Sequence, residues 1–323
     1  MGVILADFLV RQTEGYYCKY GNFFIDPPLP VDRALVTHAH ADHASPGHGR
    51  IFCTPPTASF MRYRYRHLAV HTFSEFSYHH PFSIGGVGIR FIPAGHILGS
   101  AQIVMDYQGA RYLFTGDYKL QADDTCEPLE VVQADVLITE STFADPQVRH
   151  PDPVAEILKL NDKPSNVLLG AYTLGKAQRL TSLINAYCPS RKVLIHHTIL
   201  PIHQLYRSLG VEHLRYAPYE RRLMKVDRAD YIYIVPPLTF NSYFRATNVM
   251  RVFASGWKRL QHNNDMELFI SDHVDWNDII SYAKMVDPTE IWTVHGEGKH
   301  LVDYFAGTIP VRPLLSPPFD FRD

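Results

Sequence analysis

The most constraining feature of this chain is the run THAHADH at residues 37–43, which directly follows the apolar stretch ALV. Four donors, His38, His40, Asp42 and His43, fall within six residues. A loop leaving a strand can wrap such a set around two adjacent cations, because the sheet holds the loop root rigid. The chain is also rich in histidine, with 18 His against 4 Cys in 323 residues. Two further residues recur at strand ends: His96 in IPAGHILGSA and Asp117 in LFTGDYK. Each alone reads as an ordinary loop residue. After THAHADH, in this order, they form a metal-site series. Imidazole and carboxylate donors without thiolate suit zinc first, with manganese or iron as alternatives. A carboxylate such as Asp117 can bridge two ions. Two divalent ions can activate water and neutralise a phosphate under attack.

Bulk properties remove several other classes. Cys18, Cys53, Cys126 and Cys188 make no CxxC pair, which argues against a disulfide scaffold and a thiolate zinc ribbon and fits a reducing cytoplasm. The formal net charge of -2 excludes a globally basic nucleic-acid coat, and 46% hydrophobic residues exclude a disordered chain. The start MGVILADFLV contains Asp7 and no basic n-region, so it does not read as a signal peptide. No apolar run reaches about 18 residues, so no membrane span is expected. The expectation is a soluble cytoplasmic protein.

The first half alternates short strand-like runs with Gly/Pro turns: GNFFID, ALVTHAH, RIFCT, GIRFIPAG, AQIVMDY, RYLFTGD and DVLITE. From about 150 the pattern becomes strand–helix–strand, NVLLGAY, LGKAQRLTSLINAY and KVLIHH, as in a parallel α/β unit. YIYIVPP, NVMRVFAS, ELFISDH and EIWTVHGE read as later strands, the last two again ending in histidine. The expected division is therefore 1–150, an insert at 151–258, and a return at 259–323.

The order HxHxDH, then His96, then Asp117, resembles the dinuclear hydrolase signature of the metallo-β-lactamase superfamily. Glu140 in LITESTF, LGAYTLGKAQRL, His273 in ISDHVDW and His295 in TVHGEGK narrow the resemblance to its β-CASP nuclease branch. It implies an αββα sandwich with an inserted, compact β-CASP α/β cap that closes over a nucleic-acid strand. It implies that His38, His40 and His96 hold one metal, that Asp42, His43 and His295 hold the second, and that Asp117 bridges. His273 would be the general acid, with Glu140 orienting it and Asp26 supporting the HxHxDH loop. This assignment agrees with elementary chemistry. A ligating imidazole needs its other nitrogen fixed by an acceptor. A His beside a carboxylate is favoured in its protonated form and can supply a proton. The implied reaction is attack of a metal-activated hydroxide on a phosphodiester, with His273 or a water protonating the leaving oxygen.

The sugar is less strongly marked. TVHGE is similar to the RNA-processing members, whereas FASGW, SDHVDW, TLGKAQ and the short length are similar to the bacterial DNA exonucleases associated with an ATP-dependent DNA ligase and a helicase. The resemblance thus implies a 5′-to-3′ DNA exonuclease in repair, with a ribonuclease on the same scaffold as the alternative. A metal-bearing sensor would lack a ligand, and none is missing. A small-molecule metallo-hydrolase would not need the insert. Charge distribution fits a polyanion: RYRYRH (62–67) carries Arg62, Arg64 and Arg66, and residues 245–259 carry Arg245, Arg251, Lys258 and Arg259 with no acid. Lys176, at the start of the insert's helix, is a further candidate for a phosphate contact. Glu297 is a candidate support for the metal loop.

Overall fold

The computed structural model describes residues 2–66, 72–225, 230–244, 248–262, 264–296 and 298–314. His67, Arg245 and Glu297 lie outside the described residues. The chain divides into two compact units. The first comprises Met1–Ala122, Cys126–Arg149 and His273–Asp323; the second comprises Asp123–Thr125 and His150–Asp272.

The first unit contains two sheets. One has six strands in chain order: Val10–Gln12, Gly15–Cys18, Phe23–Ile25, Arg33–Leu35, Arg50–Cys53 and Thr72–Glu75. The other has seven, ordered Val311–Pro313, Glu290–Val294, Val136–Glu140, Ala110–Phe114, Ala101–Tyr107, Val87–Pro93 and Phe82–Ile84. Side chains alternate across a strand, so each sheet can feed two cores. Tyr112, Phe114, Val136, Ile138 and Trp292 meet Phe23, Ile25 and Leu35 between the sheets. The intervening Leu113 and Leu137 face outward instead, against Ile279, Tyr282 and Ala283 of the helix Trp276–Val286. On the far side, Ala34 and Ile51 pack on Ala58 and Met61 of the helix Pro55–Arg64. The layers are helix, sheet, sheet, helix, as the resemblance implied. Each large apolar side chain fully buried here contributes roughly 1.5–3 kcal/mol.

The second unit is a five-stranded parallel sheet ordered Ala217–Pro218, Lys192–Ile195, Tyr231–Val235, Asn166–Gly170 and Val249–Phe253. The helix Lys176–Tyr187 covers one face through Ala177, Leu180 and Ile184. The expected strand–helix–strand is present, but its strands are not neighbours: Tyr231–Val235 inserts between them. Such non-local pairing leaves no trace in periodicity. ELFISDH departs from its expectation as a strand. Only Leu268 makes a bridge, to Ala254, while Leu268 and Ile270 fill the second unit's core. Residues 259–272, expected with the returning segment, accordingly group with the second unit.

That unit holds a buried histidine with a pH consequence. His203 lies between Gln178 Nε2 and Thr181 Oγ1, each 3.0 Å from a ring nitrogen, and burial pulls its pKa down to about 4. Because the folded pKa lies below the unfolded one, its contribution is fully present above about pH 6.5. It is lost as pH falls toward the folded value. The penalty reaches up to about 3 kcal/mol. His203→Gln is therefore expected to flatten the acid side of the melting profile. The gap in Tm between wild type and variant should narrow from pH 7.5 to pH 5. A gap independent of pH would exclude a neutral, buried His203.

Candidate metal centre

Every expected ligand sits in a loop that follows a strand of the first unit. The loop with His38, His40 and His43 follows Arg33–Leu35, His96 follows Val87–Pro93, and Asp117 follows Ala110–Phe114. Glu140 ends Val136–Glu140, and His295 directly follows Glu290–Val294. Glycines make the close approach possible. Gly116 has φ +57°, and a Cβ there would lie 2.8 Å from Thr37 Cβ. Gly95 has φ +73°, and a Cβ there would lie 2.5 Å from the Lys119 carbonyl oxygen. A side chain at Gly116 would push Asp117 away from the HxHxDH loop, and one at Gly95 would press on Lys119 and Leu129 beside His96.

The donors fall into three groups whose atoms lie within 4.8 Å of one another: His38, His40, His96 and Asp117; His43, Asp117 and His295; Asp117, Glu140 and His273. In the first, His40 Nδ1 is 3.0 Å from both His38 Nε2 and His96 Nε2. Asp117 Oδ2 is 3.6 Å from His38 Nε2 and 3.8 Å from His96 Nε2. In the second, His43 Nε2 is 3.3 Å from the same carboxylate oxygen. His295 takes a left-handed backbone, φ 56°, and its ring centroid lies 5.1 Å from that of His43. In the third, His273 Nδ1 is 3.0 Å from Glu140 Oε2 and 3.9 Å from Asp117 Oδ2. Asp42 stands apart: its side chain is 81% exposed, with Oδ2 3.8 Å from His43 Nε2, and it belongs to none of the three groups.

Outer contacts fix the rings. Buried Asp26 accepts from Thr37 N (2.8 Å) and Thr37 Oγ1 (2.7 Å), and its Oδ2 lies 2.8 Å from His43 Nδ1. That contact holds a proton on Nδ1, so Nε2, which faces Asp117, is the nitrogen that a cation would take in place of its proton. Thr37 Oγ1 also lies 3.0 Å from His38 Nδ1, leaving His38 Nε2 for the cluster. Ser100 Oγ accepts from the amides of His96 and Ile97. Glu140 accepts from the Tyr118 amide with Oε1 (3.1 Å) and faces His273 with Oε2.

The donor set fits divalent cations. Burial, then the charge of His43, holds His38 well below its ordinary pKa, which keeps a neutral ligating nitrogen. For His43 burial acts the same way, but the Asp117 and Asp26 carboxylates outweigh it and raise the group well above its usual value. Burial would lift the Asp117 carboxyl, yet His43, His273 and His38 hold it well below the carboxylate range. Protonated His43 offsets the ionised Asp117 carboxylate in this low-dielectric site, and bound cations would take over that charge. They would do so without protonating the His38, His40 and His96 rings, whose nitrogens lie 3.0 Å apart. None of the four cysteines forms a disulfide, and none joins a donor group among the described residues.

The basic residues expected to meet nucleic acid divide. Arg62 bonds Glu75, and its guanidinium lies 4.5 Å over the Phe73 ring. Arg64 donates to the Ala39 carbonyl at 2.6 Å, so it braces the HxHxDH loop. Lys176 is buried: Nζ donates to the Ile270 carbonyl (2.5 Å) and lies 3.1 Å from Asp272 Oδ2. These contacts, with Arg179 Nη1 3.1 Å from Asp272 Oδ1, occupy Lys176 as an internal tie, which corrects its reading as a phosphate contact. Arg66, Lys258 and Arg259 are exposed, and Arg251 is half-buried. Thr37, Ser100 and Gly116 escaped sequence reasoning, because a hydroxyl or glycine beside a ligand has no spacing signature.

A family model described as "Beta-lactamase superfamily domain" matches residues 23–197, more than half of the chain. A protein from Opitutus terrae named "Probable DNA ligase" is 29% identical over 94% of this chain and 30% of its own length. An "RNase J-like protein" from Methanocaldococcus jannaschii is 30% identical over 50% of this chain and 45% of its own. "Endoribonuclease YSH1" from Candida glabrata is 27% identical over 53% of this chain and 28% of its own. This chain thus spans less than half the length of these relatives. A crystal structure of a protein of unknown function from Enterococcus faecalis V583 shares the fold, with a TM-score of 0.62 at 13% identity, over 88% of this chain and 79% of that one. No helix among the described residues is long and apolar enough to cross a membrane.

Proposed function

The chain belongs to the β-lactamase superfamily, and on that premise we propose that it is a metal-dependent nuclease that hydrolyses DNA phosphodiesters from the 5′ end. The observation that carries this reading is the position of Asp117, which is common to all three donor groups. In this reading His38, His40 and His96 hold one cation, His43 and His295 hold the second, and Asp117 serves both. Asp42 stands outside these donor groups and would complete the second position by turning its exposed carboxylate, now 3.8 Å from His43 Nε2, onto the cation. Two divalent cations bound there would activate a water and neutralise the charge that develops on phosphorus. Asp26 and Thr37 keep His43 and His38 in the tautomers that present Nε2 to the site. His273 delivers a proton to the leaving oxygen, and Glu140 holds its Nδ1 so that Nε2 faces the substrate. Zinc is the first candidate for both positions.

DNA is favoured because the ligase-named relative aligns with nearly all of this chain. The name of that relative also supports a functional link to a DNA ligase. The ATP dependence, the helicase, the role in repair and the cytoplasmic location are part of the proposal on the sequence resemblance alone. The ribonuclease reading rests on the RNase J-like and YSH1 relatives, which align with about half of it. End-labelled single strands of DNA and RNA of one sequence, incubated with zinc, manganese or iron(II), separate the two. The expected result is faster shortening of DNA, proceeding from its 5′ end. Faster cutting of RNA moves the assignment to the ribonuclease, and no cutting of either overturns both.

A further inference from the structure

The second unit carries a cavity of about 580 Å³ at the carboxyl ends of Tyr231–Val235, Asn166–Gly170 and Val249–Phe253, three adjacent parallel strands. Open α/β sheets bind ligands at such ends. Tyr172, Phe240, Phe244 and Phe253 line the cavity with Arg251 and Arg259, and no acidic residue among the described residues lines it. The Tyr172 ring meets the Phe253 ring edge-on at 6.3 Å and is still 51% exposed, and Phe244 is 63% exposed, so both leave ring surface open to solvent. The Arg251 guanidinium lies 4.7 Å over the Phe240 ring, and its Nε is out of solvent with no hydrogen-bond partner among the described residues. Arg259 lies 4.9 Å over the ring of Trp257. Asp265 turns its carboxylate to the Arg251 backbone amide at 2.7 Å, so it does not offset the guanidinium.

Exposed ring faces beside two guanidinium groups match the two parts of a nucleotide: a flat base that stacks and a phosphate that pairs. An apolar peptide would use the rings but would leave the two cations without a counter-charge. We propose that this cavity takes up one unstacked base, with its phosphate, from a single-stranded nucleic acid. The proposal rests on the nuclease reading above and names the form of its substrate.

The test is the affinity of the metal-loaded protein for phosphorothioate-linked single strands of DNA and RNA, which resist cleavage, read by fluorescence anisotropy. Tyr172→Ala is expected to weaken binding by roughly 5- to 100-fold, the range for loss of one stacked base. Tyr172→Phe keeps the ring and should bind within about twofold of wild type on the same grounds. Loss on DNA, on RNA or on both supports the proposal. Unchanged binding of both strands by Tyr172→Ala and Arg259→Ala overturns it and leaves the cavity to another occupant. An abasic strand should bind wild type and Tyr172→Ala alike, and an equal loss on that strand also overturns the proposal. Cleavage of ordinary strands by the unaltered protein is measured alongside. If cleavage occurs while Tyr172→Ala binds normally, the cavity proposal alone fails. If no metal supports cleavage, it is the nuclease reading that fails.

Discussion

Asp117→Asn is expected to lower nucleic-acid hydrolysis by about a thousandfold or more, in the range seen when a group central to transition-state charge is removed. The variant should also purify with less than its full metal complement. The reason is geometric. Oδ2 of Asp117 lies 3.3 to 3.9 Å from nitrogens of His43, His38, His96 and His273. Among the described residues no other joins all three donor groups. Asparagine keeps the shape and removes the charge. The site then loses its shared anionic ligand, and buried His43 retains Asp26 at 2.8 Å and the exposed Asp42 at 3.8 Å as counter-charges. Metal content by mass spectrometry, cleavage rate and far-UV circular dichroism check this together. The expected pattern is native secondary structure, a metal deficit, and a rate that excess zinc or manganese does not restore. In the wild type, chelation should abolish activity and added metal should return it. Full metal content with a rate within about threefold of wild type would remove Asp117 from the centre of the mechanism.

The legibility of this site from sequence varied with distance along the chain. The loop at 37–43 was readable because four donors share six residues and a strand precedes them. His96, Asp117 and His295 became readable only by their order, since each sits in an unremarkable strand-end turn. The contacts that hold them were invisible. Thr37 serves Asp26 and His38 at once, and nothing in a lone threonine announces that. Charge runs misled for a different reason. RYRYRH suggested a groove for a polyanion, yet Arg62 and Arg64 belong to the helix Pro55–Arg64 and are turned to Glu75 and Ala39. Lys176 looks the same in sequence whether it meets phosphate or, as here, the Ile270 carbonyl and Asp272. Burial decides between those roles, and burial depends on partners roughly a hundred residues away. In the fold, strands such as Ala101–Tyr107 were plain because their pattern is local. The insertion of Tyr231–Val235 between two earlier strands was not.

His273→Ala should keep both metals and still lose roughly 10²- to 10⁴-fold in rate, the usual worth of a positioned general acid. His273 touches the centre through Nδ1, which faces Glu140 at 3.0 Å and Asp117 only at 3.9 Å. A proton donor, unlike a ligand, should reveal itself through the leaving group. A substrate with sulfur in place of the leaving 3′-oxygen needs little protonation, so the loss caused by His273→Ala should shrink sharply on it. Glu140→Gln supplies the complementary reading. Glu140 is fully buried and also accepts from the Tyr118 amide, so glutamine can keep the packing while removing the negative charge. Without that charge the protonated imidazole loses its counter-ion and gives up its proton at lower pH. The alkaline limb of the rate profile should therefore move to lower pH in Glu140→Gln, while metal content stays unchanged. A structural role for Glu140 would lower the rate equally at every pH. A metal-ligand role for His273 would strip a cation and slow the oxygen and sulfur substrates alike. Only an acid held by a buried carboxylate produces a retained metal, a leaving-group-dependent loss and a displaced alkaline limb in the same pair of variants.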